Sequence, residues 1–231
     1  MLNGVCTIPA FILTFLLMVS GHYAKADVIA GMDWLASQQN VVSGEFSTAT
    51  GIAYPSQSTF HAIRALQAGS SSYDLVLARQ YILQAGLEDT ESLSYLIILG
   101  ETTLGDGRNI VELLKARQNT NGGFGDYVGY DSNPYDSAWA LAAFNATGEI
   151  SDSTSQLIYY ITQSQQANGS WVAESSLTTA LLLTELQSWR ARYSSILSVQ
   201  TQAANFVAAD LTEHSEVFYR AIGLKALSVT G

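Results

Sequence analysis

The stretch from Asp126 to Trp139 holds most of the side chains in this chain that could do chemistry. It carries Asp126, Tyr127, Tyr130, Asp131, Asn133, Tyr135 and Asp136, and Trp139 follows one helical turn later. Aromatic faces of this kind can stack on sugar rings or isoprenoid chains, while carboxylates orient hydroxyls or hold a cation. Asp131 or Asp136 could act as an acid, provided burial keeps the carboxyl protonated. A polysaccharide-active site would instead need two carboxylates facing each other across a cleft. The oxygen-rich set Asp126, Asp131, Asn133 and Asp136 could take Ca²⁺, although its spacing matches no established calcium loop. The structural alternative is that Asp136 caps the helix that follows and the tyrosines pack on neighbouring loops.

No other constellation competes with it. The sequence has no Gly-x-Ser-x-Gly, no His-Glu-x-x-His and no phosphate-binding glycine loop. His214-Ser215-Glu216 matches half of a zinc deaminase signature without its cysteine pair. His61 and His214 read as half-buried helix residues. Tyr159, Tyr160 and Trp189 read as outer packing.

Residues 1–26 read as a signal peptide. Ile8 to Val19 is almost wholly apolar yet too short to span a bilayer, and Ala24-Lys25-Ala26 offers small residues for cleavage. An uncleaved anchor is the rival, since no Lys or Arg precedes the apolar run. Export to a bacterial envelope or to the outside follows, with residues 27–231 as one domain. Cys6 is the only cysteine and leaves with the leader, so disulfides and thiolate ligands are excluded from the exported part. The formal charge of −10 becomes −11 once Lys25 is removed. A chain this acidic repels phosphate backbones, which excludes nucleic acid as a partner.

A recurring phrase positions the candidate site. Gln118-Asn119-Thr120-Asn121-Gly122-Gly123-Phe124 returns as Gln165-Gln166-Ala167-Asn168-Gly169-Ser170-Trp171, and a looser copy runs from Gln39 through Gly44 to Phe46 with one extra residue. Each copy follows one apolar helical stretch and precedes another. That is the pattern of a helical-hairpin repeat protein. The glycines allow positive φ and end the helix. The aromatic can fold back onto its hairpin. The glutamine offers donor and acceptor to a neighbouring hairpin. Gln39, Gly44, Phe46, Gln118, Gly122, Phe124, Gln165, Gly169 and Trp171 are therefore read as structural.

Apolar periodicity predicts five pairs: Val28–Gln38 with Ser56–Gln67, Tyr73–Gln84 with Asp89–Leu99, Asn109–Arg117 with Tyr135–Asn145, Ser153–Gln165 with Ser175–Gln187, and Tyr193–Ala209 with Glu213–Ser228. No strand alternation appears. The second helix of each pair is the more apolar, as in Ala138–Phe144 and Leu177–Leu186, so the second helices should form an inner layer and the first an outer one. The fold class expected from these patterns is all-α, a repeat of about five helical hairpins in two layers.

On these residues the chain resembles the terpenoid cyclase and protein prenyltransferase superfamily, and in particular the Q-W repeat of squalene and hopene cyclases. Asp136-Ser137-Ala138-Trp139-Ala140-Leu141 and Thr178-Thr179-Ala180-Leu181-Leu182-Leu183 extend the likeness. The resemblance implies inner and outer helices alternating around a barrel, which makes the expected fold an α/α toroid. Five hairpins fall short of the family's closed ring, which leaves an open toroid, a compact variant or part of a longer protein. The family's chemistries lack their residues here. There is no Asp-x-Asp-Asp motif. Asn133 and Tyr135 stand where prenyltransferases hold zinc, and the thioester form needs a cysteine. The expectation is an exported, non-catalytic module binding an apolar or glycan ligand, or a protein, at the barrel mouth through Asp126, Tyr127, Tyr130, Asp131, Tyr135 and Trp139. The alternatives are a cyclase-type or polysaccharide-active enzyme using Asp131 or Asp136.

Overall fold

Asn-Gly corners, capping side chains and unbroken apolar runs leave the chain little choice but helix. The computed structural model describes residues 28–46, 55–69, 71–172, 175–213 and 217–230. Residues 1–26, expected to be a signal peptide, and His214 lie outside the described residues. Among those described the protein is all-α, with no strand and two isolated bridges, Thr103–Asn109 and Gln118–Phe124. The helices are α1 (28–37), α2 (Pro55–Gln67), α3 (Leu75–Gln84), α4 (Thr90–Ile98), α5 (Ile110–Lys115), α6 (Pro134–Thr147), α7 (Asp152–Gln163), α8 (Ser176–Leu186), α9 (Ser195–Glu213) and α10 (Val217–Ser228). The chain groups into two compact units, residues 1–85 and 86–231.

Caps set the helix boundaries. Asp74, Asp89, Asn109, Asn133, Ser151 and Ser175 each accept from a backbone N–H in the first turn of the helix they precede. In the second unit α4 packs on α6, α6 on α8, and α8 on α10, with α5, α7 and α9 along one side of that row. Residues 136–144 of α6 are all buried, which requires the near-continuous apolar and small-residue run there. By contrast α5, α7 and α9 bury single faces.

Two sequence expectations need correction. Two side helices lean on the row helix before them, α5 on α4 and α7 on α6, rather than on the partner that follows; α9 packs on both α8 and α10. Loop length is the reason. The α6–α7 link turns sharply at Gly148, with φ +67°, whereas α5 reaches α6 only through the long 116–133 segment. And α10 is not enclosed like α6 and α8. Leu224 is exposed on α10, which packs on α8 and α9.

The motif turns share one geometry. Gln118 Nε2 donates to the Gly122 carbonyl at 2.8 Å and to the Ser153 carbonyl in α7 at 2.8 Å, while Ser153 Oγ donates to Gln118 Oε1 at 2.6 Å. Gln165 Nε2 repeats this with the Gly169 carbonyl and, in α9, the Val199 carbonyl, at 3.0 and 2.9 Å. In the first unit Gln39 Nε2 donates to the Gly44 and Asp74 carbonyls, and the Asp74 N–H donates back to Gln39 Oε1. Each glutamine thus closes its own turn and clips it to backbone 34 or 35 residues later, at the cap or in the first turns of another helix. The extra residue of the first copy changes only the turn: Gly44 N–H donates to the Asn40 carbonyl, four residues back, where Gly122 and Gly169 reach three back to Asn119 and Gln166. Phe46, Phe124 and Trp171 fold inward and are buried.

Glycine is required in these turns for two separate reasons. Gly122 has φ +86°, and a Cβ on it would overlap the carbonyl oxygen of Gln156 in α7. Gly169 meets Gln202 and Gly44 meets Leu77 in the same way. Gly107 shares the positive φ, at +85°, but faces open space. Gly122→Ala should therefore cost about 3 kcal/mol or more, and Gly107→Ala only about 1, since the second variant carries backbone strain without overlap. Urea denaturation of the two variants checks this; equal losses would mean that close approach to α7 contributes nothing.

Candidate functional site

The 118–133 segment is ordered by its own polar groups. Asn119 Nδ2 donates to the Tyr130 carbonyl and to Ser132 Oγ, both at 2.9 Å, and Ser132 Oγ donates to Asn121 Oδ1 at 2.7 Å. The Asn133 N–H donates to the Phe124 carbonyl. Thr90, the first residue of α4, receives the loop's far side: its N–H donates to the Asp126 carbonyl at 2.8 Å and its Oγ1 to the Gly125 carbonyl at 2.6 Å. Arg117 lies beneath, only 7% exposed. Its Nη1 donates to the Asp126 carbonyl at 3.3 Å and its guanidinium sits 5.8 Å from the Tyr127 ring centre. These ties leave Tyr127 and Tyr130 facing solvent, 42% and 59% exposed, with ring centres 5.8 Å apart.

Deeper in, α4 and α6 bring together residues far apart in sequence. Glu91 Oε1 accepts from the Tyr135 hydroxyl at 2.5 Å and from the Tyr95 hydroxyl. Trp139 receives both tyrosine rings edge-on, Tyr95 at 4.9 Å and Tyr135 at 6.3 Å. Asp136 is 5% exposed. Burial pushes its carboxyl up to about 6; the Asn133 amide opposes that, and the charges of Asp126, Glu91 and Asp89 add to it. Asp126 is raised too, by burial first and then by Asp89 and Glu91, with Arg117 pulling it down. Tyr135 is raised by burial and by its bond to Glu91. Burial lowers the Arg117 guanidinium, against the pull of Glu88, Asp89, Tyr127 and Asp126.

No family model, no curated protein and no solved structure matches the chain.

The sequence-derived set divides in two. Asp136, Tyr135 and Trp139 share the buried cluster, with Asp126 above it. Tyr127, Tyr130 and Asp131 lie on the exposed loop. Burial that could hold an acid protonated is present at Asp136; Asp131 is exposed. Asp136 is not the helix cap. Asn133 is, accepting from the Asp136 N–H at 2.9 Å, and its Nδ2 returns a 2.5 Å bond to Asp136 Oδ2. For the calcium expectation, among the described residues no group of three or more His, Cys, Asp or Glu side chains is placed to hold a metal ion. His61 is exposed on α2, edge-on to Phe60, rather than half-buried. Trp189 is buried, donating Nε1 to Asn145 Oδ1, and Tyr159 is exposed. A groove of about 700 Å³ in the first unit is lined by Gln39, Val41, Tyr73, Asp74 and Val76 among others, and its one carboxylate caps α3.

Glu91, Asp89, Tyr95 and Arg117 were not singled out from sequence. A signal existed for three of them. Glu91 and Tyr135 stand 44 residues apart. The same offset carries the cap Asn133 to the cap Asp89, and Trp139 to Tyr95. The buried cluster is thus one face built twice, in successive row helices.

A carboxyl raised by folding stabilises the fold below its unfolded value, near 3.8, and that contribution is lost as pH rises through about 6. The wild-type chain should lose up to about 3 kcal/mol over this range relative to Asp136→Asn, which keeps the shape and lacks the titration. Urea midpoints of both proteins at about pH 4 and about pH 7 test it; parallel pH dependences would mean that Asp136 is not held protonated.

Proposed function

We propose that this chain is an exported α/α-toroid repeat module, squalene-cyclase-like in its hairpins, that binds its ligand rather than transforming it. The ligand is taken where the loop before α6 meets the start of α4, at the mouth of the barrel in the toroid arrangement. A hydroxyl-rich, sugar-like ligand fits best. The single observation behind this proposal is the outward-facing pair Tyr127 and Tyr130, with ring centres 5.8 Å apart, following half-buried Asp126 in the chain. Two exposed rings offer apolar faces to a sugar, and a nearby carboxylate accepts from its hydroxyls. The acidic surroundings disfavour an anionic glycan.

One observation favours a second reading. Asp136 combines burial with a raised carboxyl value, the property a cyclase-type or glycan-cleaving acid would need. Its oxygen is bonded to Asn133 and the carboxyl itself is buried, so the binding reading is preferred.

Tyr127→Ala/Tyr130→Ala in the exported protein should abolish retention on insoluble neutral polysaccharides while leaving the melting temperature within about 2 °C of wild type, because both rings are largely exposed. Asp136→Asn should keep that retention. Unchanged retention by the double variant would end the glycan reading, and glycan turnover by wild type that disappears in Asp136→Asn would establish the enzyme instead.

A further inference from the structure

Each of the two tight motif turns holds an Asn-Gly pair, Asn121-Gly122 and Asn168-Gly169. Such pairs deamidate spontaneously in water. The glycine amide nitrogen loses its proton and attacks the asparagine Cγ; a C–N bond forms, ammonia departs and a succinimide remains. Water then opens the ring at either carbonyl, leaving aspartate or isoaspartate. Water is the only co-reactant.

The fold holds both pairs in the same unreactive arrangement. The Gly122 N–H donates to the Asn119 carbonyl at 2.9 Å, and the Gly169 N–H to the Gln166 carbonyl at 2.9 Å, so the proton that must leave is held. The amide oxygens are engaged as well. Asn121 Oδ1 accepts from the Gly123 N–H and Ser132 Oγ, at 3.0 and 2.7 Å. Asn168 Oδ1 accepts from the Ser170 N–H and Ser170 Oγ, at 3.0 and 2.8 Å. Each glycine lies so close to the next helix, at Gln156 or Gln202, that even a Cβ would overlap its backbone. What keeps the turns in place is the glutamine amide that bonds the glycine carbonyl.

We propose that Asn121 and Asn168 are latent self-modification sites gated by the glutamine clips, closed while Gln118 and Gln165 hold their turns and reactive once a clip opens. Conversion is one-way in its effect. Isoaspartate lengthens the backbone at the point where the glycine must approach the neighbouring helix, so the turn cannot close again. The first turn carries Ser43-Gly44 and has no such chemistry. This proposal is independent of the ligand-binding function.

The test uses the full chain and two variants, Gln118→Ala and Gln165→Ala, held folded in mildly alkaline buffer beside wild type in urea. Peptide mass spectrometry follows deamidation at both asparagines. Both should be slow in folded wild type and fast in urea. Gln118→Ala should speed Asn121 about tenfold and leave Asn168 at the wild-type rate, and Gln165→Ala should do the reverse. Folded wild type reacting as fast as the urea sample, or a variant whose own site stays at the wild-type rate, overturns the proposal. If Gln118→Ala does not fold, Gln118→Met decides, since it keeps the length of the side chain and removes the amide that bonds the Gly122 and Ser153 carbonyls. Faster reaction at Asn121 alone upholds the gate, and no change refutes it.

Discussion

A glutamine side-chain amide bonded to two stretches of backbone at once is the interaction on which the rest of this structure depends. At Gln39, Gln118 and Gln165 the nitrogen closes a turn at its glycine carbonyl and reaches the start of another helix. Each bond contributes only about 1 kcal/mol net. Their leverage comes from position. They fix where a helix begins relative to the turn before it, and they do so where the missing glycine Cβ lets backbone approach backbone. The burial of Phe46, Phe124 and Trp171 beneath the same turns adds apolar stabilisation that no lone hydrogen bond supplies.

The candidate site follows from that constraint. With Gln118 anchoring one end and Asn133 the other, the intervening segment folds over the start of α4, and Thr90 receives its backbone. Tyr127 and Tyr130 are left outside, and Asp136 is drawn in at the first turn of α6. The electrostatic consequence is a crowded set of carboxylates, Asp89, Glu91, Asp126 and Asp136, facing one buried cation, Arg117. Burial first, and then the charges of Asp126, Glu91 and Asp89, push the Asp136 carboxyl up to about 6.

Repetition explains why the chemistry gathers where it does. The offset of 44 residues that superposes Tyr135 on Glu91 sets the same helical face side by side in α4 and α6. Hydroxyl, carboxylate and indole from two copies of that face then interlock. Counted from its own cap, Ser175, α8 carries Leu177 and Leu181 at the corresponding positions, so the polar cluster ends at α6.

All-helical architecture, the limits of most helices, the glycine corners and the enclosure of α6 were legible from residue order, because apolar spacing, caps and positive-φ glycines act over a few residues and leave a local trace. The loop from Asp126 to Asp136 was legible as polar and aromatic for the same reason. What order alone could not decide was which of those residues turn inward, and which distant ones meet them. Asp131 stays in water while Asp136 is buried. Asn133, not Asp136, caps α6. Arg117, Glu91 and Tyr95 come to the same place only when α4, α5 and α6 pack. Burial and through-space charge depend on neighbours that chain order does not place, so protonation of Asp136 and the outward face of the tyrosine pair are decided by tertiary structure alone.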